Sequence, residues 1–237
     1  TYYTPKNTTT IIVGDFNHEE VLNIIKEKFN FPNRTEKKIR VNKIDQPAKE
    51  TKYIETNANI QTSYMMFGWL GPKASEIKAS ICLDLISIIF GDGTSSRLQQ
   101  NLIEKLPERI FNMVNTEHYQ FRDGNNFFIQ ANFNPNYKDK ALELVKEELY
   151  NLTENKISEE ELTKAKKRIK SRFANEAETV SEIGENIGYY ETVCGNLKLI
   201  EEYLTDLENI TISDLENTIK KYLSIDNAVI SVLVPEK

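Results

Sequence analysis

Apolar residues fall into short β-type runs and longer helical stripes along this chain. Residues 8–13 (TTTIIV) are β-branched and predict a strand closed by Gly14-Asp15. Asn17 with Glu20 marks a helix start, and Val21, Leu22, Ile24, Ile25 and Phe29 follow at helical spacing. Residues 32–47 are polar, cationic and aperiodic, which is the pattern of a linker. Residues 50–56 alternate weakly and 61–70 are rich in aromatic and large apolar side chains, giving two strands closed by Gly71-Pro72. Residues 77–90 are almost continuously apolar, a buried helix broken at 91–94 (GDGT), and a further helix starts within 95–106. Asp123-Gly124 joins the strands 111–121 and 126–133 as a hairpin. Asn134-Pro135 starts another helix, and Ser158 with Glu161 and Ser213 with Glu216 read as capping boxes. The long helical patterns between them are loosened at Gly184, Gly188 and Gly195, and residues 228–234 (AVISVLV) form a last strand.

Strands, then helices, then a strand predict an α+β fold, with one mainly antiparallel sheet and helices packed on one face. The pattern divides the chain into residues 1–31 (strand plus helix), the linker 32–47, and one domain over 48–237. A weak echo links Tyr2 to Asn7, before the first strand, with Tyr222 to Asn227, before the last, and suggests a duplicated protein. The Thr-Tyr-Tyr start reads as the interior of a longer protein.

Composition narrows the function classes. The 237 residues carry 30 Lys and Arg against 36 Asp and Glu, a net charge of -6, with no basic stripe to neutralise phosphates, which argues against a nucleic-acid partner. The apolar stretches, such as 86–90, are too short to cross a bilayer, so no membrane partner is expected. Cys82 and Cys194 each sit in an apolar helical pattern and read as two small buried thiols, with a long-range disulfide left open. The basic run 164–168 and the glutamates Glu176, Glu178, Glu182, Glu185 and Glu191 read as solvated helix faces. The aromatic cluster Phe121, Phe127, Phe128 and Phe133 reads mostly as core-facing strand.

Three segments carry a resemblance. Tyr2-Tyr3-Thr4-Pro5-Lys6-Asn7, an apolar run and Val13-Gly14-Asp15-Phe16 resemble the Y-Y-x-P-x-N…V-G-D-F segment of the pitrilysin (insulinase-like) zinc metallopeptidases. Gly91-Asp92-Gly93-Thr94-Ser95-Ser96-Arg97-Leu98 is similar to that family's G-x-G-x-S-S-R-L helix start, and residues 61–72 to the glutamine-led strand that opens its second half. The resemblance implies one half of a clamshell of two α+β halves closing on an unfolded peptide. On this reading the chain is the second, non-catalytic half with the tail of the first.

The family's zinc site is an H-x-x-E-H helix motif of the first half, where the motif glutamate serves as base. This chain has only His18 and His118, the first reading as a solvated helix-start residue and the second as a strand-surface residue. The resemblance therefore places zinc in the full-length parent and none in this chain. Its partners would be the N-terminal catalytic half, or a paired subunit, and a peptide substrate. Active second halves contribute an Arg and a Tyr that hydrogen-bond substrate; by alignment from residues 95–98 those places hold Ile103 and Phe111, with Arg109 able to reach in from a shifted register. The implied function is a domain that walls the chamber and holds peptide for a zinc site elsewhere. The alternative is a pseudopeptidase domain acting as a structural or partner subunit. By the same resemblance the 91–94 loop would take part in substrate handling, against the simpler reading as a helix-to-helix turn.

Overall fold

The computed structural model describes residue 4, residues 7–29 and residues 45–236 of the chain. The linker expectation therefore lies, apart from residues 45–47, outside the described residues.

Among the described residues five strands form one sheet: β1 (Lys52–Ala58), β2 (Ser63–Leu70), β3 (Phe111–Tyr119), β4 (Asn126–Phe133) and β5 (Val229–Pro235). Their order is β1-β5-β2-β4-β3. The β2/β4, β2/β5 and β3/β4 pairs are antiparallel, and β1 joins β5 in parallel. The mainly antiparallel α+β sheet expected from the sequence is thus present. Alternation sets its two faces. Met65, Phe67 and Trp69 of β2 pair with Ala131, Ile129 and Phe127 of β4, and all six are buried beneath the helices. The opposite face carries Ile54, Tyr64, Met66, Met113, Tyr119 and Val229, all exposed.

Among the described residues there are seven α-helices, in chain order α1 (His18–Lys28), α2 (Ile77–Phe90), α3 (Lys138–Glu154), α4 (Glu159–Asn175), α5 (Val180–Tyr189), α6 (Lys198–Asn209) and α7 (Ile212–Tyr222). The nearly unbroken apolar stretch of α2 makes it the central helix, in contact with β3, α4, α6 and α7. Leu83, Leu85, Ile86 and Phe90 are fully buried there. Burying such a side chain contributes about 2–3 kcal/mol each. The amphipathic helices around α2 start at side-chain caps: Ser158 with Glu161 for α4, Thr179 with Glu182 for α5, and Thr211 with Asp214 for α7. The α7 cap corrects the Ser213/Glu216 expectation. Starting two residues earlier turns Leu215 and Ile219 into the core.

Residues 8–13 form no strand. β-Branched composition favours a strand only where a neighbour pairs its N–H and C=O groups, and the described sheet offers none to this segment. It lies instead along α5, with Val13 against Gly184 and Ile11 against Gly188. The α1 that follows has no buried residue, and Leu22, Ile24 and Phe29 at its end are exposed. No helix among the described residues is long and apolar enough to cross a membrane.

Candidate functional site

The loop after α2 shows why residues 91–98 have the composition they do. A side chain on Gly91 would meet the Thr116 backbone nitrogen at 2.6 Å, so only glycine allows α2 to end against β3. Gly93 has φ +99°, in the left-handed region, with the Arg168 guanidinium packed where a Cβ would project. Asp92 between them is held by Arg168 Nη2 at 2.7 Å and by Arg172. Ser96 Oγ donates to the Gly93 carbonyl at 2.7 Å. Arg97 clasps Glu161 through Nε at 2.7 Å and Nη2 at 2.9 Å, and also donates to the Asn155 and Lys156 carbonyls. Burial alone would raise the Glu161 carboxyl, but the Arg97 guanidinium and the Ser158 cap outweigh it and hold the group at about 2. The motif thus ties the helix start at 97–98 and the π-helical turn Gln99–Glu104 onto α4.

The same geometry places the residues singled out from the sequence. Ile103 lies in that π-helical turn and packs on the core. Phe111, 2% exposed, is a core residue set edge-on to Phe133 at 6.4 Å. Arg109 is exposed in the connection before β3. The three are close in sequence but do not converge on one surface; Arg109 alone presents a polar group to solvent. Of the aromatic cluster, Phe127 and Phe133 are core while Phe121 is exposed.

A concavity of about 560 Å³ opens where the edge strand β3 meets α2, α4, α5 and α6. Six consecutive residues, 115–120, run along one side of it. The His118 side chain is only 2% exposed, and its Nδ1 lies 2.7 Å from Asp84 Oδ1. Gln120 Nε2 donates to Asp84 Oδ2 at 3.0 Å, and the Tyr189 hydroxyl donates to Gln120 Oε1 at 2.6 Å. His118 Nε2 is buried and has no hydrogen-bond partner. Across the cavity Phe173 and Tyr203 stack at 5.4 Å, and Tyr189 meets Tyr190 edge-on at 5.3 Å. Burial pushes the Tyr190 and Tyr203 phenols up, with Asp84 and Glu176 adding to the effect. Burial also raises the Glu176 carboxyl at the cavity mouth, against the pull of Arg172.

This cavity corrects one sequence expectation. His118 is not a strand-surface residue, because it falls in phase with the buried Val114 and Thr116. That phase was legible in the alternation of residues 111–119. Glu176 is exposed, as the sequence predicts, and stands where α4 ends at the cavity mouth. Asp84 and the three tyrosines carried no local signal, being drawn together from three separate helical segments.

Zinc does not fit this set. No group of three His, Cys, Asp or Glu residues among those described could hold a metal ion. One ring nitrogen of His118 is taken by Asp84, and the other is enclosed in protein. His18 sits apart, exposed at the start of α1. Both cysteines are free and buried, which closes the question of a disulfide between them.

Comparison with known proteins agrees with this architecture. A family model described as the peptidase M16 inactive domain matches residues 1–169. The chain is 27% identical over 239 residues to the zinc protease PqqE of Helicobacter pylori, covering 99% of this chain and 53% of that protein. An uncharacterized zinc protease of Rickettsia felis is 26% identical over 227 residues, covering 94% and 52%. The crystal structure of a protease from Helicobacter pylori superposes with a TM-score of 0.80 at 25% identity, over 94% of this chain and 54% of that one. The peptidase M16 inactive domain from Pseudomonas fluorescens shares the fold, with a TM-score of 0.69 at 21% identity over 83% and 47%. The chain spans about half the length of the curated relatives it matches.

Proposed function

This chain belongs to the family of the peptidase M16 inactive domain, the C-terminal half of pitrilysin-type zinc protease-like proteins, and from that premise we propose that it walls a peptide chamber and holds substrate for a zinc site on a catalytic half. The observation that carries the proposal is the uncovered apolar surface. An amphipathic α1 with no buried residue and a sheet face bearing Ile54, Tyr64, Met66 and Val229 need a partner surface. A second half of similar size is the partner that fits a chain spanning about 53% of its relative. The names of the relatives as zinc proteases support zinc in the complete protein. This chain's part would be to position peptide, and Arg109, the candidate from the shifted register, has an exposed guanidinium to do so. Ile103 and Phe111 support that connection from the core side.

The test is reconstitution. The purified chain should show no chelator-sensitive hydrolysis of an unfolded peptide, and adding the upstream half should produce it. In the reconstituted protein, Arg109→Ala should lower kcat/KM several-fold without changing the melting temperature. Stoichiometric zinc with turnover by the chain alone would overturn the proposal. The second reading, a pseudopeptidase acting as structural or partner subunit, is favoured by one observation. Ile103 and Phe111 pack into or against the core and offer a substrate no hydrogen-bond donor. Zinc-dependent turnover on adding the upstream half would exclude it.

A further inference from the structure

The chemistry of the β3 cavity does not follow from the chamber-wall role. Its lining includes the carboxylates of Asp84, Asp92 and Glu176 and the Arg172 guanidinium, whereas Glu117, by the alternation of β3, turns its carboxylate to the other sheet face, where it accepts from Tyr119. The Arg172 guanidinium is already committed to Asp92. Asp84 and Glu176 make no ion pair with a lysine or arginine among the described residues. Asp84 accepts from Gln120 Nε2 and lies 2.7 Å from His118 Nδ1. The Nε2 of the His118 ring, on a side chain 2% exposed, has no hydrogen-bond partner among the described residues. Two aromatic pairs, Phe173 with Tyr203 and Tyr189 with Tyr190, line it as well. Aromatic faces attract cations, more strongly when water is excluded.

We propose that this cavity binds an organic cation with a primary ammonium or guanidinium head. The head would lie between Asp84 and Glu176 with its stem against the tyrosine rings. Only such a group combines the several N–H donors, the positive charge and the apolar stem that these walls complement. Metal cations are a poorer match, because no three ligating side chains converge there among the described residues. A free amine and a lysine or arginine side chain share this chemistry, and the experiment separates them. The site does not depend on assembly with a catalytic half, so its failure and the failure of the chamber-wall reading are distinguishable.

The 237-residue chain is titrated by calorimetry and by amide chemical shifts with cadaverine, with 1,5-pentanediol as its neutral isostere. Two capped pentapeptides follow, identical except for lysine or norleucine at the centre. One cadaverine should bind per chain, at least tenfold more tightly than the diol, with shift changes at His118, Gln120 and Tyr190. Glu176→Gln, at the exposed mouth, should weaken cadaverine at least fivefold without moving the melting temperature, and Tyr190→Phe should retain binding. Binding of the lysine peptide but not the norleucine peptide assigns the cavity to peptide side chains. Preference for free cadaverine assigns it to small amines. Equal binding of diol and amine, no binding of either, or an unchanged affinity in Glu176→Gln overturns the proposal.

Discussion

Arg97→Met removes the guanidinium that joins the π-helical turn to α4 while keeping an apolar stem of similar length. The Glu161 carboxyl titrates at about 2 in place of its ordinary 4.5. At about 1.4 kcal/mol per tenfold change in proton affinity, this corresponds to about 3 kcal/mol. Glu161 is 30% exposed and Arg97 18%, so solvent screening reduces the expected loss to about 2 kcal/mol. The sign is set by a depressed carboxyl. Its contribution is complete above pH 4.5 and disappears as pH falls through about 2. Urea unfolding of wild type and Arg97→Met at pH 7, 4.5, 3 and 2 should therefore show a gap of about 2 kcal/mol that closes toward pH 2. Glu161→Gln alone also weakens the Ser158 cap, so the double variant is needed to isolate the pair, with an expected coupling of about 1–2 kcal/mol. A gap independent of pH, or a coupling below about 0.5 kcal/mol, would refute the assignment of the low Glu161 value to Arg97.

Other outcomes follow from single contacts. Gly91→Ala places a methyl group 2.6 Å from the Thr116 nitrogen and should cost about 2–4 kcal/mol, read as a fall of roughly 10 °C in Tm. Burial pushes the Cys82 thiol up to about 11 and raises Cys194 as well, so a disulfide-exchange reagent at pH 8 should find almost no reactive thiol in the folded chain and two after unfolding. Leu22→Asp with Ile24→Asp should leave this chain's own stability within about 0.5 kcal/mol, because neither side chain is buried. The same pair should abolish reconstitution with the upstream half, measured by co-elution, if α1 forms part of that junction.

The sheet was legible because each core strand carries its own period. Met65, Phe67 and Trp69 alternate on β2, and Phe127, Ile129, Ala131 and Phe133 on β4, so both elements and their buried faces can be read locally. The central helix was legible for the opposite reason. Its apolar residues run almost without a polar break, which only a helix enclosed by others can carry. Residues 8–13 failed because the β-branched signal states a preference, whereas a strand needs a neighbour. The cavity was the least legible part, and its assembly explains why. Its groups come from α2, β3, α4, α5 with its adjoining π-helical turn, and α6, so no spacing in the sequence could join Asp84 to Tyr189 or Glu176 to Tyr203. The one usable local clue was the phase of β3. Val114, Thr116 and His118 share a face, and a histidine on an inward face must find a partner. Following that phase leads to Asp84, and from Asp84 through Gln120 to the tyrosine walls. A polar residue out of place on an apolar face can thus lead to a site that no motif marks.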